Sequence, residues 1–147
     1  MEKKVDLEKL LAEGKVIRIK IRGYSMYPVL LPERDEVFIK QTELSELRRG
    51  DVLLYRREQG ILVLHRLWKR KGNQFFMVGD NQSEIEGPLE GWQIKGKMIA
   101  MIRKGGYIPV EKSVYRILCG IWLFLRPFRP FISNIVHRIK RNRTKGR

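Results

Sequence analysis

Acidic residues are scarce, and beyond residue 112 there are none. The chain of 147 residues has 16 Asp and Glu against 31 Lys and Arg, a formal charge of +15. Nine of those cations fall in 113–147, which leaves +6 for 1–112. So uneven a balance points to contact with something anionic. Cysteine is nearly absent too: Cys119 stands alone, which excludes an intramolecular disulfide and suits a reducing compartment. It is read as a small packed hydrophobe. Long apolar runs are missing. The opening MEKKVDLEKLLAEGK has no stretch of the kind a secretory signal needs. The best run, ILCGIWLFL at 117–125, stops at Arg126, well short of a membrane span. Export through a cleaved leader and a conventional single span are therefore not expected.

What is present is one domain's worth of core, since 43% of the residues are hydrophobic in a chain of ordinary single-domain length. Asp6 is placed to cap a short helix, LEKLLAE, which Gly14 ends; a lid over the domain is its expected role. From residue 16 the apolar period becomes two, with Val16, Ile17, Ile19 and Ile21 set between Arg18, Lys20 and Arg22. Further strands are expected at 37–40, 52–55, 61–68, 74–78 and 94–102, separated by the turns RRG, EQG, KGN and GDN. Short strands joined by hairpin-like turns make this a mainly β chain, a coiled antiparallel β domain. The expected division is an N-terminal helix over 1–15, the β domain over 16–110 and a basic amphipathic segment over 111–147.

In that last segment Pro127 and Pro130 divide two short helical pieces. Trp122, Phe124, Phe128 and Phe131 among arginines suit an interfacial contact with an anionic membrane surface. A terminal helix packed on the domain, or a dimer contact, is the plainer alternative. His137 lies in the basic tail with no chemical context.

GYSMYP at 23–28 follows directly on a strand, and Gly23 and Pro28 bracket a tight turn that would expose the Ser25 hydroxyl. After it come PERDEVFI at 32–39, RGDVLLY at 49–55, LHRL at 64–67 and GDN at 79–81. These five boxes in this order resemble those of type I signal peptidases and their self-cleaving repressor relatives, over about 16–103. The resemblance implies a serine endopeptidase, with Gly23, Met26, Pro28, Arg66 and Gly79 as supporting motif positions. Its partner would be a peptide or preprotein held extended along strands; no cofactor and no metal is called for, and nucleic acid is not an expected partner.

The family's bacterial majority has lysine as base; here His65 stands in that position, as in the archaeal and endoplasmic-reticulum branch. Imidazole, with an ordinary pKa of about 6.5, is a competent base at neutral pH without further tuning. On a strand His65 shares a face with Ile61, Val63 and Leu67, an apolar wall. A histidine base needs a partner to fix its tautomer, and Asp80 or Glu86 could be the orienting carboxylate, with Glu84 a weaker third. Asp51 reads as a turn residue. The Ser25 backbone amide is the expected oxyanion donor; the family's second donor, a hydroxyl two residues before the serine, is replaced by Gly23. Two other readings stay open: a non-catalytic membrane-associated binding module, and a self-cleaving repressor-like regulator. The expected location is peripheral on the cytoplasmic face of a membrane, or else the cytoplasm.

Overall fold

The computed structural model describes residues 5–128. Helix α1 (Leu7–Ala12) begins where Asp6 Oδ1 accepts the Lys9 amide at 3.1 Å, and ends at Gly14, whose φ of +78° suits glycine. Eight strands follow: β1 (Ile17–Lys20), β2 (Asp35–Lys40), β3 (Val52–Arg56), β4 (Leu62–Lys71), β5 (Gln74–Val78), β6 (Ile85–Glu90), β7 (Ile94–Arg103) and β8 (Gly106–Pro109). They form one antiparallel sheet in the order β1-β2-β7-β3-β4-β5-β6, with β8 also on β7. Helix α2 (Ser113–Phe124) and a short turn at Arg126–Phe128 end the described residues. The mainly β, coiled antiparallel architecture with a helix at each end is thus the one read from the sequence.

Two strands escaped that reading. β6, IEGPLE, carries Gly87 and Pro88, which lower strand propensity, and β8 is only four residues long. The sheet coils because pairing registers shift at several points, among them Phe38/Ile39, Leu54/Tyr55, Leu67/Lys69 and Phe75/Met77. Bulges of this kind bend a strand and sharpen its twist. The curl carries β6 back across β3, so Tyr55 and Arg57 bond to Glu86, and the Gln93 side chain reaches the Arg56 carbonyl at 3.1 Å.

β3 lies between two cores, which is why four consecutive residues on it are buried. Val52 and Leu54 join Leu11, Ile17, Ile21, Met26, Val37, Ile39 and Met98 on one side. Leu53 and Tyr55 join Leu67, Phe75, Met77 and Leu89 on the other. Leu11, buried in the first core, makes α1 a structural part of the domain as well as a cover. Glu8 fastens it, bonding to Arg56 at 2.8 Å and pairing with Lys95 at 3.3 Å. Among the described residues no helix is long and apolar enough to cross a membrane.

Candidate active site

β1 delivers the chain into GYSMYP, where the turn is built locally: Gly23 has a φ of +72°, the Tyr27 amide bonds to the Tyr24 carbonyl at 3.1 Å, and Tyr27–Pro28 is cis. Two neighbouring structures hold this turn. On one side the Asn81 amide donates to the Ser25 carbonyl at 2.8 Å. Gly79 has no room for a side chain, because a Cβ there would lie 2.7 Å from that same carbonyl. On the other side buried Asp35 accepts from the Leu31 amide at 2.9 Å and from Arg103 at 2.7 Å. Arg34 and Arg103 in turn donate to the carbonyls of Pro28 and Val29. Burial would push Asp35 upward, but the bonds from Arg103, Arg34 and Leu31 outweigh it and keep the carboxylate below its ordinary range.

Ser25 and His65 line one cleft of about 710 Å³, shared with Met26, Gln82 and Arg57 and walled by Leu7, Ile19, Ile21, Leu54, Leu62 and Leu64. His65 comes from the middle of β4, opposite Leu53, and is only 3% exposed. Its Nδ1 lies 3.1 Å from the Tyr55 hydroxyl and 4.0 Å from Glu86 Oε2; the Tyr55 hydroxyl donates to Glu86 Oε2 at 2.6 Å. Arg57 grips both Glu86 oxygens, at 2.7 and 2.8 Å.

These contacts fix the imidazole tautomer. The Arg57 bond, then that of Tyr55, holds Glu86 ionised below the ordinary carboxylate range despite partial burial, so Glu86 can only accept. Burial, reinforced by Glu86, pushes the Tyr55 phenol upward, so it keeps its proton. A phenol has one hydrogen, and it goes to Glu86. Tyr55 therefore accepts from His65, which carries its proton on Nδ1 and leaves the Nε2 lone pair available. Desolvation lowers the His65 pKa from 6.5, more than Glu86 raises it, with Arg57 also lowering it, so the ring is neutral at neutral pH.

Asp80 is not the carboxylate that approaches His65. Both of its oxygens are taken by Arg66 at 2.7 Å in a pair with no solvent exposure on either side chain, and Arg66 also donates to the Gly50 carbonyl at 2.8 Å. Desolvation alone would lower the Arg66 pKa, yet Asp80 keeps it above its ordinary value. The boxes LHRL and GDN thus meet in one buried ion pair, and RGD adds the Gly50 carbonyl as a further acceptor for Arg66. Asp51 accepts the Arg48 amide at 2.8 Å, a turn role, and Glu84 is exposed on the loop before β6. His137, the second helical piece and the basic tail lie outside the described residues. Tyr55 and Arg57 were not singled out in the sequence; only the spacing Tyr55-x-Arg57, which puts both on one face of an extended segment, hints at a joint role.

The family model described as Peptidase S24-like matches residues 1–99, two thirds of the chain, and takes in Ser25, Tyr55, His65 and Glu86. The chain belongs to the Peptidase S24-like family. Its members are serine peptidases or repressor-like proteins, non-catalytic ones among them. The match ends within β7, so α2 lies outside it. No curated protein matches the chain.

Proposed function

We propose that this member of the Peptidase S24-like family is a serine endopeptidase that cleaves an extended, leader- or signal-like peptide, with Ser25 as nucleophile and His65 as general base. The observation that carries the reading is the chain from Arg57 through Glu86 and Tyr55 to His65 Nδ1, which turns the basic nitrogen away from the carboxylate side of the ring. In the reaction His65 Nε2 takes the Ser25 proton as Oγ attacks the scissile carbonyl. The imidazolium gives that proton to the leaving amine, and water then releases the acyl group by the same route. Glu86, through Tyr55, stabilises the charge that His65 acquires. The Ser25 amide supplies the oxyanion donor.

Two features support a peptide as substrate. The cleft walls are aliphatic, and the segment 19–22 that lines it belongs to β1 and its continuation, at the end of the sheet path, where an extended chain can add as a strand. Gly23 favours a second reading, a binding module without turnover, because no hydroxyl stands there to assist the oxyanion. A serine-directed fluorophosphonate separates the two. It is expected to label the wild type, to leave Ser25→Ala unlabelled and to react with His65→Ala at a small fraction of the wild-type rate. A wild type that stays unlabelled while folded would leave the binding module.

A further inference from the structure

Helix α2 is apolar on two opposite faces, and among the described residues only one of them is packed against the domain. The inner face docks on the domain: Cys119 and Leu123 are buried, and Trp122 Nε1 donates to the Asp80 carbonyl at 3.0 Å. Arg126 bonds to the Ser83 carbonyl and stands 4.9 Å over the Trp68 ring. The outer face carries Val114, Ile117, Leu118, Ile121 and Phe124, continued by Phe128 in the following turn. Their spacing of three and four residues sets them in one stripe. Each is between 51% and 76% exposed. A domain that ended at this helix would turn polar residues to water there, and a contiguous apolar strip of this kind marks an interaction surface.

Charge selects the partner. From 113 to 147 the sequence has nine Lys and Arg and no Asp or Glu. A second copy seated on the stripe would bring two such segments together with no carboxylate from either to offset them. A surface apolar beneath and anionic above meets both demands. The helix has 12 residues. At about 1.5 Å rise per residue it is roughly 18 Å long, against about 30 Å for a bilayer's hydrocarbon core, so it fits along an interface and not across it. We propose that α2 is an interfacial helix that lays the stripe from Val114 to Phe128 into the headgroup boundary of an anionic lipid bilayer, with the basic residues beyond it supplying the electrostatic attraction. The inner face would then hold the loop behind Ser25 on a membrane-seated helix. The assignment stands apart from the peptidase reading, since it uses no residue of the cleft.

Flotation of the full chain with lipid vesicles tests it. The chain is expected to rise with vesicles of phosphatidylcholine mixed with phosphatidylglycerol, and to bind phosphatidylcholine alone about tenfold less or weaker. Added salt should release it, because screening shortens the reach of the charges. The double variant Ile121→Asp/Phe124→Asp should remain at the bottom of the gradient while keeping the wild-type circular dichroism spectrum. The milder Ile117→Gln should bind to an intermediate degree, which keeps the test decisive should the double variant misfold. Three results would overturn the assignment: a wild type that never floats, a double variant that floats as well as wild type, or a wild-type dimer that the same substitutions dissolve while vesicles are ignored.

Discussion

The Tyr55 hydroxyl lies 2.6 Å from Glu86 Oε2, although β3 and β6 are at separate places in the sheet order. This contact exists because the sheet curls, and it decides how the imidazole behind it is protonated. Tyr55→Phe and Glu86→Gln each remove one link of the relay while leaving Ser25 and His65 in place. Each is expected to slow acylation by a fluorophosphonate about 100-fold, the lower end of what positioned acid–base groups contribute. The loss should fall on the rate at saturation more than on apparent affinity. A Tyr55→Phe protein that acylates at the wild-type rate would remove the phenol from the mechanism.

The pH dependence follows from the burial of His65. Its pKa lies below 6.5 in the folded chain, so the reactive neutral form persists into mildly acidic solution. The acid limb of the labelling rate is expected to have its midpoint below pH 6.5. Stability follows with the same sign. The unfolded chain takes up the proton first as pH falls, so the contribution of neutral His65 is complete above 6.5 and is lost as pH drops through the lower folded value. An acid limb centred above 6.5 would mean that Glu86 outweighs desolvation.

Much of the scaffold was legible in the sequence because its signals are local. β1 shows period-two alternation, β2 to β5 and β7 stand out as short apolar runs between turn residues, and α1 is marked by the capping side chain of Asp6 and by Gly14, which has no side chain to oppose a positive φ. β6 was hidden by Gly87 and Pro88, whose backbone preferences outweigh its two apolar residues. The choice between Asp80 and Glu86 could not be made from spacing. It depends on which way the 79–83 loop turns after β5 and on how far the coiled sheet brings β6 back toward β3. Both are non-local. Tyr55 and Arg57 went unnoticed for the same reason, since neither has a local partner; each meets Glu86 about thirty positions away.

Arg66 and Asp80, paired with each other in the interior, bear first on stability. Both side chains are fully buried, so removing one partner leaves an uncompensated charge in the interior. Asp80→Ala is expected to lower unfolding free energy by about 3–5 kcal/mol, measured from urea denaturation midpoints. Glu86→Gln should cost less, because Glu86 and Arg57 are both part-exposed and water screens what remains. A larger destabilisation by Glu86→Gln than by Asp80→Ala would exchange the roles given to the two carboxylates.

Gly79 tests whether the GDN turn positions the nucleophile. Its backbone is not in the left-handed region, so a side chain is opposed there by space alone. A Cβ would lie 2.7 Å from the Gln82 side-chain oxygen and 2.7 Å from the Ser25 carbonyl. The carbonyl is held by the Asn81 amide at 2.8 Å, so Gly79→Ala must shift the serine turn itself. A displacement of about 1 Å at the reacting group can cost about 100-fold in rate, and a loss of that order in acylation is expected. Gly23→Ala makes the contrast: its φ of +72° strains the backbone, but a Cβ there meets nothing within 4 Å. Gly23→Ala should therefore destabilise the fold by about 1–2 kcal/mol. Wild-type acylation in Gly79→Ala would show that the Ser25 turn holds its place without support from this loop.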